Sequence, residues 1–215
     1  MANFDGTETS RVEARFGVLI FPGFELLDVF GPLEMFAHSN ATSPVTLIAE
    51  QAGAVASAQG PEVIAQYSLA KCPSIQGLLV PGGIGTRQQV HNPRLLEFIA
   101  SRARDVKVLA SVCTGAALLA KAGALDGRRA TTNKWSFGWV AQQGPNVDWV
   151  KHARWVEDGA VFTSSGVSAG IDMALAIIAR LNGPEAAEII ASHAEYDWHR
   201  DADWDPFAKQ AGLVD

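Results

Sequence analysis

Apolar residues fall in short continuous runs separated by turn-forming residues, and between these runs they recur at helical spacing. Phe16-Gly17-Val18-Leu19-Ile20-Phe21 is such a run, closed by Pro22-Gly23. An uninterrupted apolar stretch of this length is how a strand covered on both faces reads. Val45 to Glu50, Gln76 to Val80 and Val106 to Ser111 repeat it, and Val63 to Tyr67 is a shorter version. Ala153 to Thr163 predicts two strands joined through Glu157-Asp158-Gly159.

Helical spacing predicts a helix from about Phe24 to His38, with Gly31-Pro32 as a kink or break inside it. Asn92 and Pro93 start another that runs to Arg104. Gly115 to Ala122 is rich in Ala and Leu and stops at Gly123, and a short helix is expected around Trp135 to Gln142. Ser168 to Asn182, nearly all apolar and therefore buried, and Pro184 to Trp198 are expected as the last two helices. Strands alternating with helices imply an α/β fold, a parallel sheet with helices on both faces, in which ligands bind beyond the carboxyl ends of the strands.

Met1 to Ala14 has no apolar periodicity and is expected to be a disordered tail, leaving residues 15–215 as one domain without repeat or linker. A chain of 215 residues that is 48% hydrophobic can bury a core of its own. A net charge of -6, with 17 scattered Lys and Arg, argues against nucleic acid as a partner. Apolar runs fall well short of the roughly 20 residues a membrane span needs. The first fifteen residues lack the hydrophobic stretch of a secretion signal, so a cytoplasmic protein is expected. The 2 cysteines do not form a disulfide framework; each is to be judged by its surroundings.

Cys113 lies in Ser111-Val112-Cys113-Thr114-Gly115, between a buried strand and a helix. Small residues two before and two after it let the chain turn sharply enough to present the side chain at the sheet edge, as in a nucleophile elbow. The amides and positive dipole end of the following helix are expected to favour thiolate. The plainer reading is a buried structural cysteine; the turn is what favours a nucleophile. Cys72 precedes Pro73 with no helix behind it and reads as a structural or surface thiol.

Asp28 is flanked by Leu26, Leu27, Val29 and Phe30. Either it faces a partly dry cleft, where desolvation raises its pKa and lets it share a proton with Cys113, or it is a solvated acid early in a helix. Glu25 and Glu34 fit the solvated role better. Gly82-Gly83 is either a tight turn or, through the Gly83 amide together with that of Thr114, an oxyanion hole. Gly83-Ile84-Gly85 lacks a third glycine at dinucleotide spacing, so no nucleotide cofactor is expected. His193 and His199 do not make a zinc motif, and no metal is expected. Trp135, Phe137 and Trp139 read as core or subunit contacts before pocket walls.

Leu27-Asp28-Val29-Phe30-Gly31-Pro32, Val80-Pro81-Gly82-Gly83, Ala110 to Gly115, Arg129-Ala130-Thr131-Thr132 and Ser168-Ala169-Gly170-Ile171-Asp172 occur in this order. With these segments the chain resembles the ThiJ/PfpI proteins, themselves similar to class I glutamine amidotransferases, over nearly all of Phe16 to Tyr196. The Asp-Val-Phe-Gly-Pro segment resembles the isonitrile hydratases among them. The resemblance implies a flavodoxin-like three-layer sandwich, a homodimer, a small-molecule substrate, and an elbow cysteine paired with the aspartate of the first helix, here Cys113 and Asp28. The implied reaction is hydration of an isonitrile to an N-substituted formamide through a thioimidate on Cys113.

Many relatives place a histidine after Thr-Thr, where this chain has Asn133 followed by Lys134, which excludes a Cys-His pair there. The departure also puts isonitrile specificity in doubt, because this loop is expected to border the pocket. Ile84, Asn133, Trp135 and Val167 are the candidates for substrate contact. Alternative functions within the family are a glyoxalase-like or oxidant-sensing protein, or a ligand-sensing module like those of AraC-type regulators.

Overall fold

The computed structural model describes residues 16–215; the tail expected over 1–14 lies outside them. Seven strands form the main sheet, in the order β10-β11-β7-β6-β1-β2-β5. They are β1 (Phe16–Leu19), β2 (Val45–Ala49), β5 (Tyr67–Ser68), β6 (Gly77–Val80), β7 (Val108–Ser111), β10 (Trp155–Asp158) and β11 (Val161–Ser164). All neighbours are parallel except β10 and β11, so the mostly parallel sheet matches expectation. Every residue of β1, β6, β7 and β11 is buried, which is why these segments read as unbroken apolar runs.

The helices are α1 (Leu26–Ala37), α2 (Thr86–Gln89), α3 (Pro93–Asp105), α4 (Gly115–Lys121), α5 (Phe137–Ala141), α6 (Ala169–Asn182), α7 (Pro184–His193) and α8 (Pro206–Gln210). α1, α6 and α7 pack as one group and α3, α4 and α5 as another, giving the expected three layers with the sheet between. A hairpin of β3 (Gly53–Ala56) and β4 (Glu62–Ala65) and a parallel pair of β8 (Arg129–Ala130) and β9 (Asp148–Trp149) complete the fold. Among the described residues no helix is long and apolar enough to cross a membrane.

Three expectations need correction, and several short elements were not expected. α1 runs unbroken through Pro32; Gly31 and Pro32 pack against Ile171 and Gly170 of α6, and this tertiary contact holds the segment helical. Val63 to Tyr67 is divided, because β4 pairs only with β3 while Tyr67 and Ser68 join the main sheet beside β2. The last long helix ends at His193 instead of Trp198. Glu195 takes φ 49°, and the chain turns so that the Tyr196 hydroxyl and His199 amide reach Asp172 at 3.1 and 3.0 Å. A buried carboxylate thus overrides helical spacing there. Finally, β3, α2, α8 and the β8-β9 pair carried too little periodicity to be expected.

Candidate active site

β7 delivers Cys113 to the carboxyl edge of the sheet, and α4 departs two residues later. The turn is tight enough to hold Cys113 at φ 55°, a left-handed conformation that costs a side-chain-bearing residue about 1–2 kcal/mol. Both ends of its peptide are fastened. The Cys113 amide donates to the carbonyls of Ser164 and Ser165 at 3.2 and 3.1 Å, and its carbonyl accepts from the Thr132 hydroxyl at 2.7 Å. The small neighbours are required, since a Cβ on Gly115 would lie 2.2 Å from the Val80 carbonyl oxygen. Ser111-x-Cys113-x-Gly115 thus forms a sharp turn between strand and helix, with Cys113 at positive φ.

Asp28, in the first turn of α1, is fully buried. Its Oδ2 accepts the Gly82 amide at 2.8 Å, whereas Oδ1 has no hydrogen-bond partner among the described residues. Burial pushes its carboxyl up to about 8 against the pull of the Gly82 amide; the nearby Glu25 charge adds to the rise, and hydrogen bonding with Cys113 offsets a little of it. Asp28 thus takes the cleft role and not that of a solvated acid. Glu34 does sit on the surface, beside His38. Glu25 is half-buried, with its carboxylate bonded to Gln59 at an exposed position, and it also borders the site.

The Cys113 thiol is pushed up to about 12, first by burial and then by the Asp28 charge; the Thr114 and Val167 amides and the Thr114 hydroxyl pull the other way. This corrects the expected bias to thiolate: loss of water outweighs the amides that face the sulfur. The pair can instead share protons, a neutral Asp28 removing the charge that most opposes a sulfur anion.

The Gly83 amide is already engaged, donating to Thr114 Oγ1 at 3.1 Å. The amide donors turned toward the sulfur are those of Thr114 and Val167. Val167 has φ 44°, rare for a β-branched residue, so left-handed backbone occurs at the cysteine and again at a residue whose amide faces the sulfur.

A hollow of about 220 Å³ opens over Cys113, lined by Glu25, Ile84, Arg87, Asn133, Ser136 and Val167 among others. Three of the four candidate contacts, Ile84, Asn133 and Val167, border it. Trp135 instead lines a second hollow of about 190 Å³ with Lys134 and Phe207, and Asn133 and Val167 border both. Phe137 is buried against Trp149, and Trp139 stacks under Arg87. His193 is exposed and His199 stacks on Trp204. Cys72 is half-buried, its thiol donating to the Pro73 carbonyl at 3.3 Å, in line with a structural role.

Residues 14–180 match the sequence model of the DJ-1/PfpI family. The chain belongs to this family. Among its relatives, an isonitrile hydratase from Pseudomonas putida is 34% identical over 84% of this chain and 77% of that protein. The HTH-type transcriptional regulator CdhR of Pseudomonas aeruginosa is 28% identical over 80% of this chain, which spans about half (52%) of the regulator's length. A THiJ/PfpI family protein from Pseudomonas syringae superimposes with a TM-score of 0.82 at 27% identity, over 99% of this chain and 91% of that one.

Sequence reasoning missed Thr132, Arg87 and the charged residues that brace this family member's site. Thr132 lay in a segment already singled out, without a role. Lys134 Nζ is buried against Asp205 Oδ2 at 3.1 Å and Thr131 Oγ1 at 2.7 Å, pinning the Asn133 loop to the last helix. Asp172 is held by Arg154 at 2.6 and 2.7 Å, and the Arg154 carbonyl accepts the Ser165 amide at 2.8 Å. Of the bracing charges, only Asp172 lay in a segment that the resemblance had singled out.

Proposed function

We propose that the protein is a cysteine-dependent hydratase that converts isonitriles, R–N≡C, to N-substituted formamides. The pairing of a fully buried Asp28, one carboxyl oxygen left without a partner, with Cys113 at its strained elbow carries the reading. The 34% identity to an isonitrile hydratase supports it. Loss of one proton from the Asp28–Cys113 pair leaves an anion able to attack as thiolate while Asp28 holds the remaining proton.

The sulfur bonds to the terminal carbon, and Asp28 gives that carbon its proton, forming the thioimidate R–N=CH–S. Asp28, now carboxylate, takes a proton from water as the oxygen adds to the same carbon and passes it to the nitrogen, giving the adduct R–NH–CH(OH)–S on Cys113. The carbon–sulfur bond then breaks, releasing R–NH–CHO and the Cys113 thiolate, while Asp28 takes the hydroxyl proton and the pair is restored. The amides of Thr114 and Val167 steady the sulfur when it is anionic.

The test is formamide production from cyclohexyl isonitrile by the parent, Cys113→Ala and Asp28→Asn. Turnover that disappears in both variants is the expected result; no turnover of several isonitriles by the parent overturns the reading. The regulator relatives favour a second reading, a ligand-sensing domain. In that case Cys113→Ala retains ligand binding and the parent turns nothing over.

A further inference from the structure

We propose that Arg87 is the specificity residue of the Cys113 hollow and selects compact substrates that carry a carboxylate. The inference rests on Cys113 being the reacting atom and adds the substrate class. Arg87 and Cys113 line the same hollow. The Arg87 guanidinium carbon lies 4.1 Å over the centroid of the Trp139 ring. Stacking of this kind fixes the plane of the group and leaves its in-plane N–H edge available for a planar anion.

That edge is unclaimed: among the described residues the Arg87 side chain makes no hydrogen bond and no ion pair. Arg94, Arg128, Arg154, Arg180 and Arg200 each sit on a carboxylate. Arg102, Arg104 and Arg129 do not, but none of them borders the hollow. Glu25, the opposite charge in the lining, does not pair with Arg87 and accepts from Gln59 Nε2 at 2.6 Å. The Arg87 side of the hollow therefore keeps an unpaired positive charge held in position, while Glu25 lies in the same lining bonded to neutral Gln59.

The hollow, about 220 Å³, is smaller than the roughly 300–1,000 Å³ of sites for drug-sized ligands. A compact molecule is implied, its reacting carbon at Cys113 and its carboxylate on Arg87. Isocyanoacetate has this form.

The test separates recognition from turnover. Rates of alkylation of Cys113 by iodoacetate and by iodoacetamide are followed on the Cys113 peptide by mass spectrometry; in both reactions sulfur displaces iodide, and only one reagent is charged. The iodoacetate-to-iodoacetamide ratio is expected to fall about tenfold in Arg87→Gln, the equivalent of one charge-assisted contact. Arg87→Lys is expected to recover only part of it, since lysine keeps the charge but not the planar edge, and salt to lower it in the parent and not in Arg87→Gln. An unchanged ratio in Arg87→Gln overturns the proposal even if isonitriles are hydrated. A Cys113 that resists both reagents up to pH 9.5 sinks the reactive-thiol reading itself. With isonitriles, Arg87→Gln should lower kcat/KM for isocyanoacetate about tenfold and leave its ethyl ester unaffected; equal losses would show a structural role and overturn the assignment.

Discussion

The Gly82 amide donates to Asp28 Oδ2 at 2.8 Å, and this decides which carboxyl oxygen remains for chemistry. Oδ1 is the atom without a partner among the described residues, and in the proposed reaction it is the oxygen that carries the proton.

At pH 7 the Asp28–Cys113 pair is expected to be mostly doubly protonated, because burial pushes the Asp28 carboxyl up to about 8. The form with one proton accumulates as pH rises through that value, and kcat/KM should climb roughly tenfold from pH 7 to pH 9. In the pH dependence of Cys113 alkylation by iodoacetamide, which needs no turnover, Asp28→Asn should lack this midpoint; a profile that keeps it assigns the ionisation elsewhere.

The same ionisation opposes folding. Because burial raises the folded-state pKa of Asp28, its neutral form stabilises the fold fully below about pH 4, and the advantage is lost as pH rises to about 8. Asp28→Asn should therefore be more stable than the parent at pH 8 and show a flatter dependence on pH, by at least about 2 °C in Tm. Thermal melts between pH 5 and pH 9 measure the difference.

A methyl group at position 82 has nowhere to go. A Cβ there would stand 2.6 Å from the Thr114 amide nitrogen, 2.7 Å from Thr114 Oγ1 and 2.8 Å from Asp28 Oδ2. Gly82→Ala should cost about 1–3 kcal/mol by denaturant titration and remove most turnover through displacement of Asp28. Unaltered kinetics would mean that the Gly82 contact does not position the acid.

Backbone strain at the elbow predicts an inverted order of stability. Cys113→Gly relaxes the positive φ and Cys113→Ala retains it, so the glycine variant should be more stable by about 1 kcal/mol. Equal midpoints in urea would argue against stored strain.

Lys134 and Asp205 are both buried, and removing one strands the other. Lys134→Met should cost about 3–5 kcal/mol, and Lys134→Met/Asp205→Asn should recover a good part of it, since Asn retains the capping oxygen of α8. Failure of the double variant to recover would place the loss in packing rather than charge.

The sheet was legible because strands covered on both faces leave continuous apolar runs, and Cys113 was legible because a sharp turn needs small residues at 111 and 115. Asp28 was only half legible, since its neighbours told of dryness but not of Gly82. Arg87, Thr132 and the Lys134–Asp205 and Arg154–Asp172 pairs leave no periodic trace. They join residues distant in sequence through side-chain geometry alone. The direction of the Cys113 pKa was misjudged because the following helix is visible in the sequence, while the absence of water around the sulfur is not.

The fastening of Cys113 to Ser164, Ser165 and Thr132, with Asp28 arriving from α1, spreads one small site over more than half the chain. Such a site closes only after the long-range strand pairings are complete. During refolding, helical circular dichroism should therefore return before catalytic competence, and regain of turnover would time the docking of β11 beside β7.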